Sequence, residues 1–395
     1  MQPCALRKYA AATVLAVLCT FLPAGSAPAA GPPGVVDVRP AGALDAAFRR
    51  YAEHDRSPRH WTGGDSTYSV ATRAGELWVF SDTFLGTVRA DGSRSPALGD
   101  GGTTPFLHNS LVLWTARGPR TVTGRDQAGQ PAPPVPGPGS ASWYWARAGI
   151  ADGHGVSVVY ARYARTGSGP LDVAWQGNVL ARFRAGAYGR PASVTPLPSS
   201  ARIAWGAWLE PQGRYTYIYG TERTPEGRSR LRLARVPGRD LRRPWQYWTT
   251  RGAWSGREAD AARLAGPRGA LFTSDELSVV RHGSWYALVT QRADVPFSAE
   301  TQIAWSRSPG GPFTRPRTVY TAPEAGPSGT YRNKNVIAYN PHEHPELEKG
   351  PRDLVLSYNV NSLAPADVIR RTDIYRPRFL RLTLSPPGRS AGTPR

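Results

Sequence analysis

The chain has 395 residues and a net charge of +20, from 49 Lys and Arg against 29 Asp and Glu, with only two cysteines. Cys4 and Cys19 both fall within the first 30 residues, which removes disulfides and cysteine-based metal or redox chemistry from the rest of the chain. Lysine is confined to Lys8, Lys334 and Lys349, and the arginines are scattered through strands and turns without forming a stripe. The basic balance therefore argues for a solvated surface, with a general attraction to anionic envelope polymers, and against nucleic acid as a partner.

At the N-terminus Arg7 and Lys8 precede an apolar run from Tyr9 to Leu22 and the small-residue stretch Ala24–Ala30. That layout predicts a cleavable secretory signal over residues 1–30 and a secreted protein, extracellular or associated with the cell envelope. Loss of Arg7 and Lys8 would leave a charge of +18. No later stretch is long and apolar enough to predict a membrane span. Residues 31–56 read as an N-terminal arm in which Leu44, Phe48 and Tyr51 share one face of a short helix.

From residue 57 to 385 short runs of alternating apolar and polar residues predict β structure. One two-strand unit recurs: Ser66–Val70 with Leu77–Asp82, Ala146–Ile150 with Val156–Tyr160, and Ile203–Leu209 with Tyr215–Tyr219. The fourth is Leu277–Val280 with Trp285–Val289, and the fifth is Asn335–Tyr339 with Leu354–Tyr358. Outer strands follow, most clearly Leu231–Val236 and the run from Ile303 to Phe313. Five such units at roughly 60–70-residue spacing predict an all-β fold, a five-bladed β-propeller with four-stranded antiparallel blades. Val35–Val38 or Phe379–Leu384 would close the ring. Tandem β-sandwiches are the alternative that strand spacing leaves open. Gly129–Ser140 reads as a surface insertion between the first two blades, Glu258–Leu264 as a second helical piece, and residues 386–395 as a disordered tail.

In a blade the start of the first strand and the end of the second share a face. Asp65, Asp82, Asp275 and Glu276 therefore meet at one mouth of the channel, and Glu210 falls at the other. The same mouth would receive Arg147, Trp205, Asn335, Asn359 and Gln291. Carboxylates opposed across a pocket with amides, arginines and an indole suit a polyhydroxylated ligand, and two carboxyls flanking a glycosidic bond are the minimum for its hydrolysis. Each acid also has a plainer reading as a turn former. The run Pro341–Glu346 has the spacing of metal ligands, but its place between prolines in a hairpin predicts a solvated loop.

The segments Trp61–Val70, Leu77–Phe84, Ser274–Val279 and Ala304–Phe313 resemble secreted propeller domains of unknown function related to bacterial endo-D-arabinanases, and the resemblance spans nearly the whole chain after the signal. More distantly the chain is similar to arabinanase, xylosidase and fructosidase propellers. The resemblance implies a five-bladed fold, glycoside hydrolysis and an acid on the first inner strand, here Asp65. In the arabinanase and xylosidase group the general acid is a Glu of the third blade; this chain has none at that mouth, and Glu276 of the fourth blade is placed in the role.

The expected function is a secreted glycoside hydrolase acting on arabinose-containing or related polysaccharide. Asp65 serves as nucleophile or base, Glu276 as general acid, and Asp82 orients or tunes one of them through like charge. A carbohydrate-binding propeller without turnover is the alternative. The expected partner is a polysaccharide or oligosaccharide, with no nucleic acid and no membrane span, and the protein is expected to be a monomer. No cofactor is called for, and a structural calcium ion is left open.

Overall fold

The computed structural model describes residues 31–54, 57–169 and 172–386. The expected secretory signal and residues 387–395 of the expected tail lie outside them.

Five antiparallel sheets of four or more strands follow one another along the chain. The first joins Tyr68–Thr72, Gly75–Phe80, Ser110–Thr115 and Gly118–Val122. The second joins Ser142–Ala151, Gly155–Arg165, Val173–Arg184 and Ser193–Pro196. In the third, Ala204–Gln212, Tyr215–Arg223 and Ser229–Pro237 are extended by Gln246–Trp248 and Trp254–Ser255. The fourth joins Ser278–His282, Trp285–Gln291, Glu300–Ser306 and Arg317–Thr321. The fifth runs Val336–Glu343, Asp353–Ser362 and Pro377–Leu384, and its outer position is filled by Val35–Pro40 from the other end of the chain. The two segments expected as alternatives for the closing strand pair with each other in this sheet.

The opening strands of successive sheets pack side by side from first to fifth. The fifth also touches the first: the Tyr68 and His342 rings lie 4.1 Å apart, and Ser69 Oγ is 2.5 Å from His344 Nδ1. Second strands are covered on both faces, so they read as continuous apolar runs such as Leu77–Phe80, in which all four residues are buried. The opening strands of the second, third and fifth sheets each slip register midway, at Ala146/Gly149, Trp205/Trp208 and Tyr339/His342. Such bulges re-aim side chains. In the third sheet the bulge requires Gly206, at φ 83° with a Cβ position only 2.6 Å from Val159, a place no larger residue can take.

The expected N-terminal helix covers Gly42–His54. It latches the fifth sheet to the first: Asp45 Oδ1 accepts the Phe379 N–H at 2.8 Å, and Tyr51 Oη lies 2.7 Å from Thr121 Oγ1. Burial pushes the Asp45 carboxyl from an ordinary 3.8 up to about 6, against the opposing pull of the Phe379 N–H. The stability tied to this proton is complete below the ordinary value and is lost as pH rises through the raised one. Urea midpoints of the parent should therefore fall, relative to Asp45→Asn, between pH 4 and pH 7. Parallel curves would contradict this linkage.

Two expectations need correction. Glu258–Leu264 contains only a single 3-10 turn, Glu258–Asp260. Gly129–Ser140 is not merely a surface insertion, because Val135 is buried and clamped by Asn109, whose Oδ1 and Nδ2 bond its N–H and carbonyl.

Candidate functional site

Asp65 follows Gly63 and Gly64, and a Cβ on Gly63 would stand 2.2 Å from the Tyr375 carbonyl, so the chain here runs where a side chain cannot fit. The next two residues are both left-handed, Ser66 at φ 65° and Thr67 at φ 57°. Consecutive non-glycine residues in that region are costly, and such strain concentrates at functional sites. Here it is held by specific bonds. Asp65 N–H donates to the Asp82 carbonyl (3.2 Å), and Ser81 N–H donates to the Asp65 carbonyl (3.1 Å). Ser66 Oγ donates to Glu276 Oε1 at 2.8 Å and lies 2.8 Å from the Ser81 hydroxyl, while Asn359 Nδ2 donates to Thr67 Oγ1 at 2.7 Å.

This one kinked turn brings Asp65, Asp82 and Glu276 together; none is wholly buried as a residue, although Asp65 Oδ1 and Glu276 Oε2 are closed to solvent. Asp65 Oδ2 accepts the Tyr339 hydroxyl at 2.7 Å, and Asn361 Nδ2 supports that tyrosine at 3.2 Å. Asp65 Oδ1 has no hydrogen-bond partner. Burial, then the charge of Asp82, push the Asp65 carboxyl well above the carboxylate range; Glu276 adds to this, and bonds from Tyr339 and Tyr375 oppose it. At Asp82, Trp145 Nε1 donates to Oδ1 at 2.7 Å, and His108 Nδ1 stands 2.8 Å from the same oxygen. Glu276 Oε2 faces His342 Nε2 at 3.3 Å, with that imidazole completely buried. One imidazole and one carboxylate do not by themselves make the roughly six to eight oxygen ligands that calcium takes.

The other expected site residues divide. Arg147 is buried, donates to the Asp275 carbonyl at 2.6 Å and acts electrostatically on Glu276 and Asp275. Asn359 holds the strained turn. Gln291 does not face a ligand, since its amide donates to the carbonyls of Ser298 (2.5 Å) and Ala338 (2.9 Å) and ties the fourth sheet to the fifth. Asn335 sits at the entry to the fifth sheet's first strand, where its main chain bonds Asn333 Oδ1 and the Leu363 N–H. Asp275 turns to the third sheet, to Ser229 Oγ and, at 3.2 Å, the Arg223 guanidinium. Trp205 is fully buried, donates to Glu258 Oε1 at 2.8 Å and packs on Trp245, so its faces are closed to a sugar.

Trp145 is the indole at the site. It lies partly exposed beside Asp82 and packs on Tyr163, with ring centroids 4.5 Å apart. It shares strand parity with Arg147, a signal that could have singled it out. The main correction concerns Pro341–Glu346, expected as a solvated loop. Val336–Glu343 continues as strand through Pro341, and His342, Glu343 and His344 are wholly buried. Glu210 is at the turn end as expected, accepting the Arg281 N–H at 3.1 Å.

Among solved structures the chain is similar to a Bacteroides ovatus ATCC 8483 protein provisionally named a hydrolase, at 20% identity over 87% of this chain and 90% of that one, with a TM-score of 0.70. It is also similar to the GH43_1 enzyme from Xanthomonas citri complexed with xylose, at 14% identity over 87% and 93% of the two chains and a TM-score of 0.46. A third likeness is to a GH43 beta-xylosidase/alpha-arabinofuranosidase from a compost microbial metagenome in complex with xylotriose, at 12% identity over 89% and 95% of the chains and a TM-score of 0.46. Curated proteins offer no match. The model of a family described as a domain of unknown function, DUF5005, matches residues 45–384, and the chain belongs to that family.

Proposed function

We propose that the five sheets are the blades of one propeller and that the protein is a glycoside hydrolase acting on arabinose-containing or related polysaccharide. The observation that carries this reading is the convergence of three carboxylates, from residues 65, 82 and 276, on one strained turn beside an indole. Hydrolysis of a glycoside needs one carboxyl that keeps its proton and one that does not, and unlike environments are how a site separates them.

Asp65, short of solvent and next to two carboxylates, is the proton donor to the leaving oxygen. Asp82, held by the Trp145 indole N–H, attacks the anomeric carbon or activates water. Trp145 also offers an apolar ring face to the sugar. Glu276 stays behind the pair, held by Ser66 and facing His342, and raises the proton affinity of Asp65. These roles differ from those expected from the sequence, with Asp65 as nucleophile or base and Glu276 as general acid.

Incubation with arabinogalactan and other envelope or plant glycans, followed by assay of reducing ends, tests the activity. Glycan that binds tightly for days without product would favour a binding protein instead. Glu276→Gln separates the two assignments of the acid. Removing its charge lowers the Asp65 proton affinity, so the variant should remain active, with the alkaline limb of its kcat/KM profile moved to lower pH. Loss of turnover by more than about 10²-fold at every pH would return Glu276 to the role of acid.

A further inference from the structure

A second cluster of ionisable groups stands at the far end of the fourth sheet's opening strand from Glu276. His282 ends that strand, Glu343 ends the opening strand of the fifth sheet, and Glu348 follows in the hairpin after the short turn Pro345–Leu347. Donor atoms of all three lie within 4.8 Å of one another. His282 Nε2 is 2.5 Å from Glu343 Oε1. Glu343 is wholly buried, yet its Oε2 has no hydrogen-bond partner, and neither does the buried Oε1 of Glu348.

We propose that His282, Glu343 and Glu348 bind a first-row divalent metal ion, zinc in the first instance. Two carboxylates that each turn a buried, unpartnered oxygen into one small space need a cation or a shared proton to coexist. The imidazole aimed at the same point favours the cation, because nitrogen with carboxylate oxygen is a zinc-type donor set, while calcium prefers oxygen alone. Zinc bonds to such donors are about 2.0–2.2 Å, so donors around a tetrahedral ion stand roughly 3.3–3.6 Å apart. The trio, now within 4.8 Å, reaches that spacing if its widest separation closes and the His282–Glu343 pair opens, each by about 1 Å of side-chain movement. Three protein ligands leave a fourth position for water or for a group from outside. The ligands come from the ends of two neighbouring sheets and a hairpin, so an ion here would pin the fourth sheet to the fifth. The inference does not depend on the glycoside hydrolase reading.

The test uses the full chain without a polyhistidine tag, stripped with chelator and dialysed against zinc. Elemental analysis should find one zinc per chain, titration calorimetry one site, and thermal melting a zinc-dependent rise that magnesium does not reproduce. Glu348→Gln and His282→Gln should each weaken binding by more than about tenfold, the lower loss seen when only an outer partner of a metal ligand is removed. Glu348 is only half-buried in a hairpin, so its variant serves even if His282→Gln fails to fold. A parent with no zinc and no zinc-dependent shift would mean that a shared proton fills the gap and would overturn the proposal. Parent-like binding by Glu348→Gln would also overturn it, as would zinc that is lost only on replacing His342.

Discussion

An Asp65→Asn protein is expected to release reducing ends about 10²- to 10⁴-fold more slowly than the parent, the range that a positioned general acid contributes. The fold should survive the change. Asparagine keeps an oxygen to accept the Tyr339 hydroxyl, which now stands 2.7 Å from Asp65 Oδ2, and the main-chain bonds joining Asp65 to Asp82 and Ser81 do not involve the side chain. Stability should move the other way from activity. The raised proton affinity of Asp65 means that its contribution to folding is present at low pH and lost as pH rises through the raised value. Asparagine has no proton to lose, so the variant should melt at or above the parent temperature at neutral pH and show a flatter dependence on pH. Thermal melts at pH 4 and pH 8 beside the reducing-end assay check both halves. Parent-level turnover would remove Asp65 from the chemistry, and a variant that no longer folds would make it a structural residue.

What could be read in advance follows from which interactions are local. The hairpins were legible because strand alternation and Gly-containing turns are written in adjacent residues, as in Ser278–His282 and Trp285–Gln291 around Gly283. The meeting of Asp65 with Asp82 was legible for the same reason, since both belong to the first repeat. Pro341 hid the buried histidines. A run between two prolines in a hairpin predicts a solvated loop, but this is the opening strand of its sheet, with one edge free of ladder bonds, where a missing N–H does no harm. Asn340, at φ 53°, kinks the chain there, and the strand then continues to Glu343. Trp205 failed for a related reason: the bulge after it re-aims what alternation would place, and its indole goes to the core on Glu258. His108 belongs to no repeat, and only the folded chain sets it beside Asp82.

Phe48→Ala should be the most destabilising single substitution in the helix, at about 3–5 kcal/mol, the usual cost of truncating a buried phenylalanine. Phe48 is 1% exposed and is ringed by aromatics from separate parts of the chain: Trp78 and Trp114 of the first sheet at 5.0 Å, Phe379 of the fifth at 5.2 Å and Trp61 at 5.7 Å. Edge and stacked contacts of this kind contribute about 0.5–1.5 kcal/mol each beyond burial. None of these rings can follow a retreating side chain, because Trp78 and Trp114 lie on paired strands and Phe379 is fixed by Asp45 to the helix itself. The space left by the ring therefore stays open, and the latch between the last sheet and the first loosens. Denaturant titration should show a large fall in midpoint, and Phe48→Leu, which refills most of the volume, should recover much of it. A fall of less than about 1 kcal/mol for the alanine variant would mean that the helix only covers the seam between the fifth sheet and the first and does not hold it.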